Sequence, residues 1–294
     1  MRTIYDQFAK QVTLEALGKA GAVHTDQEVS PDAGRIDVYF APDGAMPGDA
    51  LSMLGLLGRI GTGPCTLEPF HHTPSGMQVL DCLCKHHWFR KLLTRRKVGA
   101  PLPLQWIISA GRPDGVIAGL RFDPLAEVWG PGIYEISTLL HTRLVVVAEL
   151  PETRDTLLLR LMGAGKVLER AIRELESLPP ETLERALALP ILLQLRLDVR
   201  ADPMKRTKED EEFMMLTQNS LEKYTEEQRN IGRAEGIHEA LLELYADRFG
   251  PPPAEVEGTI RQVNDRAVLR AWHKLVATGS AEDVRSAIRA HRTS

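Results

Sequence analysis

The hydrophobic period of this chain changes once, near residue 150, and that change limits the fold more than any single motif. Before it, runs rich in β-branched and aromatic residues alternate with helical ones. After Pro151 the patterning is helical almost throughout, over 155–162, 166–177, 182–197, 209–232, 237–248, 254–263, 267–277 and 281–291. Gly, Pro, Ser or Asp stands at several of the ends. The expected class is α+β: a mixed β-sheet core flanked by helices over 1–150, a helical extension over 151–208 and an all-helical C-terminal domain over 209–294. A second joint is expected over 198–208, where an apolar helix gives way to a charged, proline-containing link.

Within the first part, Ile4, Phe8, Val12 and the pair Ala16/Leu17 recur at helical spacing and predict a helix over 4–20. Two strands over 23–29 and 35–40, joined by a turn at 30–32, predict a hairpin. A short helix is expected over 50–60 and a strand over 65–70 with Pro69 at its end. A long helix over 75–95 gathers basic residues toward its C-terminus, where the helix dipole favours them. The strongest strands are 104–110 and 142–150, with a weaker one over 132–136.

Charge and cysteine content exclude several classes. Lys plus Arg is 36 against 40 for Asp plus Glu, a net −4, so any nucleic-acid contact must use a local patch. Three cysteines, Cys65, Cys82 and Cys84, are too few for a disulfide framework and suit a reducing cytoplasm. The start lacks the apolar segment of a signal peptide, and apolar runs such as 144–148 fall far short of the ~20 residues of a membrane span. The expectation is a cytoplasmic protein with no membrane partner.

Two carboxylates draw attention. Asp37 lies between Ile36 and Val38 in an otherwise apolar strand, and Glu68 lies in the next strand. Acids on neighbouring strands can converge on a hard divalent cation, Mg²⁺ or Mn²⁺, of the kind that serves phosphodiester cleavage. The plainer reading of Asp37 is the exposed face of an edge strand.

These residues resemble a known family. The helix opening Tyr5, Asp6, Gln7, Phe8, Ala9, Lys10, the strand Arg35, Ile36, Asp37, Val38 and the run Leu67, Glu68, Pro69, Phe70, His71 are similar to the PD-(D/E)XK nuclease superfamily, nearest to bacterial recombination-promoting nuclease and transposase-like proteins. The run 149–163 resembles the segment that follows the core in those proteins. Arg248, Phe249, Gly250, the run 253–256 and the run 269–272 resemble a small helical C-terminal domain of unknown function attached to them. The resemblance implies a restriction-endonuclease-like core that hydrolyses DNA with Mg²⁺ or Mn²⁺. It implies Asp37 and Glu68 as metal ligands, with Glu15 or Asp6 on the first helix assisting. Two departures stand out. Phe70 occupies the position where the pattern has Lys or Gln, and 43–62 reads as an insertion between the two acids. Lys85 and the His71/His72 pair are the available substitutes for the missing cation, and Gln78 is placed to hydrogen-bond a ligand or phosphate. The plain alternative for Lys85 and Gln78 is a solvated helix surface.

Lys85, His86, His87, Arg90, Lys91, Arg95, Arg96 and Lys97 form a basic run, and no acid occurs between Asp81 and Asp114. Arg90, Lys91, Arg95 and Arg96 are the candidate phosphate contacts. Trp88 and Phe89 inside the run can stack on bases, although core packing is the commoner fate. A zinc site is disfavoured: Cys82 and Cys84 point about 200° apart on a helix, Cys82 and His86 could share an ion, and no second CxxC or HxxxH completes a four-ligand set. No phosphate loop or nucleophile elbow is present. The competing readings are a catalytically inactive nuclease-like scaffold that binds nucleic acid or protein, and an unrelated α/β domain. The charged helices past residue 209 suggest packing on a second copy of the protein, a homodimer.

Overall fold

The computed structural model describes residues 4–30, 34–43, 51–96, 101–201, 208–263 and 265–292. The turn at 31–32, the stretch 44–50, Lys97 and the link at 202–207 lie outside the described residues. The chain divides into two compact units, Met1–Leu221 and Glu222–Ser294.

The first unit is α+β. Helix α1 (Ile4–Leu17) leads into strands β1 (Gly21–Ser30) and β2 (Gly34–Pro42). Helix α2 (Gly55–Ile60), strand β3 (Cys65–Phe70), helix α3 (Gly76–Arg95) and strand β4 (Leu104–Ser109) follow. Next come α4 (Asp114–Leu120), β5 (Asp123–Pro124), α5 (Ala126–Trp129), β6 (Ile133–Glu135) and β7 (Thr142–Val146). The helices α6 (Leu157–Arg160), α7 (Gly165–Ser177) and α8 (Leu183–Ala201) complete the sequence up to α9 (Lys208–Phe249). Seven strands form one mixed sheet in the order β1-β2-β3-β4-β7-β6-β5.

The predicted hairpin forms, with β1 antiparallel to β2 and Val23 opposite Phe40. β2 is antiparallel to β3, while β3–β4 and β4–β7 are parallel. The parallel centre is buried on both faces, which explains the continuous apolar runs Trp106, Ile107, Ile108 and Leu144, Val145, Val146. Pro69 costs the sheet little. The β2 pairing ends at Leu67, so only β4 runs beside it.

Helix α3 starts with a capping box. Ser75 Oγ accepts from Gln78 N at 3.3 Å, and Gln78 Oε1 accepts from Ser75 N at 2.8 Å. The helix then crosses β1, β2 and β4, while α1 packs on β1, β2, β3 and α8.

Two sequence expectations are corrected. The segments 209–232 and 237–248 are one helix, α9, with Gly232 and Gly236 inside it. An interior glycine costs about 1 kcal/mol and does not by itself end a helix that has no proline. The glycine- and proline-rich stretch before β6 also holds two short helices, α4 and α5.

The second unit contains α10 (Ala254–Gln262), α11 (Arg266–Thr278) and α12 (Ala281–Arg292). Its core gathers Leu241, Tyr245, Ile260, Leu269, Trp272, Val276 and Val284. Asp265 caps α11, accepting from Ala267 N at 2.7 Å.

Candidate metal centre

The β2–β3 register places the two acids. Val38 and Leu67 are the last paired residues, and continuing their antiparallel register brings Asp37 beside Glu68, close enough to hydrogen-bond it. Directly opposed residues share a face with their Cβ atoms about 4.5–5.5 Å apart. On β3 that face carries Thr66 and Glu68 toward α3. Thr66 Oγ1 lies 3.1 Å from His86 Nδ1, and Lys85 Nζ donates to Glu68 Oε2 at 2.6 Å. Cys82 Sγ is 3.8 Å from the same oxygen.

Glu68 is 1% exposed, yet its second oxygen, Oε1, has no hydrogen-bond partner. An orphaned buried acceptor costs about 1–3 kcal/mol, and the neighbour placed to hydrogen-bond Glu68 here is the Asp37 carboxyl. Burial raises the Glu68 carboxyl to about 8, with the negative charge of Asp37 adding to the rise and Lys85 opposing it. Burial alone would depress the Lys85 ammonium. The charge of Glu68, with Cys82 and Asp37 behind it, outweighs that and holds Lys85 above its ordinary value.

A second cation arrives from the other helix. Lys10 on α1 donates to Asp37 Oδ1 at 2.8 Å, Asp26 Oδ1 at 3.0 Å and Asp6 Oδ2 at 3.2 Å. Its ammonium is raised despite burial, because Asp37 and Asp26 bind it directly. Asp6 is raised by burial and by the charge of Asp37, with Lys10 pulling the other way. The cluster thus holds four carboxyl groups against two ammonium groups. When all six are ionised it carries a local excess of two negative charges, which one divalent cation would balance.

The structure brings Asp37, Glu68 and Lys85 together and leaves the other sequence-derived candidates elsewhere. Glu15 is exposed on α1, where Gln11 donates to it at 3.4 Å. Gln78 spends its amide on the α3 cap and on His72, 3.2 Å away. His71 stacks on Tyr5, and Phe70 packs edge-on against His72. His86 is buried and held near 3, chiefly by desolvation with Arg90 nearby, so it is neutral. Lys10 was visible only as part of the helix-opening motif. Its i,i+4 spacing from Asp6 was the available signal.

Along α3, Lys91, Arg95 and Arg96 are exposed. Arg90 is half-buried and donates to Pro103 O at 2.6 Å, an anchor for the chain entering β4. Phe89 is buried as expected of a core aromatic, but Trp88 is 48% exposed, so the core reading of Trp88 is corrected. Its place on α3 is one turn beyond Lys85, off the buried face set by Cys82, His86, Phe89 and Leu93.

Asp37 and Glu68 offer hard oxygen donors. Among the described residues no group of three His, Cys, Asp or Glu side chains is placed to hold a metal. Mg²⁺ is ordinarily held by one or two carboxylates, with water and substrate phosphate completing its shell. Asp37, a quarter exposed, and the buried Glu68 are the two carboxyl groups available for that arrangement. Among the described residues no helix is long and apolar enough to cross a membrane.

Comparison of the chain with protein-family models, with curated proteins and with solved structures gives no match.

Proposed function

We propose that this chain is a cytoplasmic, divalent-metal-dependent DNA nuclease of the PD-(D/E)XK type, hydrolysing phosphodiester bonds. One observation carries the reading: Asp37 and Glu68 adjoin each other just past the last β2–β3 pair, with the Lys85 ammonium 2.6 Å from Glu68. The lysine that the motif lacks at Phe70 comes instead from the following helix. Asp37 and Glu68 would hold Mg²⁺ or Mn²⁺, which would polarise a phosphate oxygen and activate water for attack on phosphorus.

The chain's own residues prepare that chemistry. The Lys85 ammonium keeps its proton and is fixed by Glu68, so it can donate to a phosphate oxygen as negative charge builds there. Burial excludes bulk water from Glu68 and strengthens both interactions. Lys10 holds the Asp37 carboxylate in place from α1. Lys91, Arg95 and Arg96 supply exposed positive charge for the phosphate backbone.

A second reading rests on the same lysines. Lys10 already binds Asp37, and Lys85 already binds Glu68, which suits a scaffold that keeps the core geometry and binds nucleic acid without cutting it. A cleavage assay on plasmid, linear duplex and single-stranded DNA separates the two. Metal-dependent cutting by the wild type that is lost in Asp37→Asn and in EDTA supports the nuclease. DNA binding without cutting under Mg²⁺ or Mn²⁺ supports the scaffold.

A further inference from the structure

The exposed indole of Trp88 bears on which nucleic acid the site takes. Trp88 stands three residues beyond Lys85 on α3, an i,i+3 neighbour displaced by about 4.5 Å along the helix. Its ring is 48% exposed, while the adjacent Phe89 is buried beneath the helix. Lys91 Nζ lies 4.9 Å from the Trp88 ring centroid. The following turn adds the exposed Arg95 and Arg96, and the exposed acid Asp81 lies on the opposite side of Lys85, one turn earlier. An aromatic surface followed by three cations therefore leads away from the site lysine in one direction only. The positive charges also offset the negative end of the helix dipole, which would otherwise repel phosphate there.

We infer that Trp88 is a base-stacking platform and that the substrate entering along α3 is an unpaired strand. This rests on the nuclease or nucleic-acid-binding reading above and narrows its substrate class. In a duplex the base faces are stacked on one another, and Lys91, Arg95 and Arg96 could meet only phosphates. An unpaired strand offers a base face to the indole and its phosphates to the cations. With a phosphate at Lys85, a neighbouring nucleotide lies within reach of Trp88 one helical turn away.

The test is fluorescence anisotropy with a labelled oligothymidylate and a labelled duplex of the same length. It is run in EDTA, so that binding is read whether or not the centre is active. Trp88→Ala is expected to weaken oligothymidylate binding about 5- to 150-fold, the range that losing one stacked base spans. Trp88→Phe should restore most of it, and duplex affinity should change less than about twofold. A Trp88→Ala protein that keeps its single-strand affinity, or that loses duplex affinity to the same extent, overturns the inference. So does a wild type that does not bind oligothymidylate. A parallel plasmid-cleavage assay in Mg²⁺ reports on the nuclease reading separately, so the two can fail independently.

Discussion

Asp37 and Glu68 lie one antiparallel step past the last β2–β3 pair, Val38 and Leu67, and each is contacted by a lysine from a different helix. Lys10 reaches Asp37 from α1, and Lys85 reaches Glu68 from α3. Two lysine–carboxyl contacts side by side are held by geometry that neither helix could impose alone. The cost of desolvating these charges is recovered only while every partner is present.

Removing either acid should abolish metal-dependent cleavage and leave the fold intact. Asp37→Asn and Glu68→Gln keep side-chain size and lose the charge a cation needs. At least a hundredfold loss of rate is expected for each, with circular dichroism unchanged. A Glu68→Gln protein that cuts at the wild-type rate would remove Glu68 from the mechanism.

The raised Glu68 carboxyl makes a signed prediction about pH. Between its ordinary value of 4.5 and its folded value of about 8, the folded state holds a proton that the unfolded chain has released. Stability from this group is therefore lost as pH rises through that window. His86 works in the opposite sense: its folded value near 3 lies below the ordinary 6.5, so its contribution is lost as pH falls. The two oppose each other between 4.5 and 6.5, and Glu68 acts alone from 6.5 to 8. Thermal melts of wild type and Glu68→Gln should diverge across that upper range, the wild type falling relative to the variant. Parallel curves there would mean that Glu68 ionises normally.

Much of this arrangement was readable in the sequence, and the unreadable parts have physical causes. The β-branched run at 35–40 and the capped helix at 75–95 identify themselves through local chemistry, and so Asp37, Glu68 and Lys85 were identifiable as candidates. Which face each acid occupies depends on the pairing of Val38 with Leu67. A single sequence does not specify that register across the intervening residues 43–62. Lys10 belongs to a helix that precedes Asp37 by a whole hairpin, and only tertiary packing brings the two together. The fate of Trp88 was equally hidden. Neighbouring aromatics on a helix point to different sides, and choosing between Trp88 and Phe89 requires knowing which side meets the sheet. The continuity of α9 through Gly232 and Gly236 was missed because glycine weakens a helix without breaking it.

Lys85→Met should expose how the lysine and Glu68 depend on each other. Losing the ammonium leaves the buried Glu68 Oε2 without its hydrogen-bond donor, a loss of about 1–3 kcal/mol. Adding Glu68→Gln to Lys85→Met should recover most of that loss, because the carboxyl needing that donor is gone. Urea denaturation of the two single variants and the double variant measures the coupling. Additive losses would mean that the 2.6 Å contact contributes nothing to stability.

Lys10→Met should destabilise the fold in a way that a divalent cation repairs. The variant leaves Asp6, Asp26 and Asp37 facing one another without the ammonium that now binds all three. At neutral pH their mutual repulsion should lower the melting temperature by several degrees. Mg²⁺ binding to the folded state alone stabilises by mass action, by about 2.7 kcal/mol at a hundred times the dissociation constant. The rise in melting temperature with Mg²⁺ should therefore be larger in Lys10→Met than in the wild type, where Lys10 competes for Asp37. It should vanish in Asp37→Asn. A melting temperature of Lys10→Met that ignores Mg²⁺, in a protein that remains folded, would show that Asp37 and Glu68 do not hold the cation.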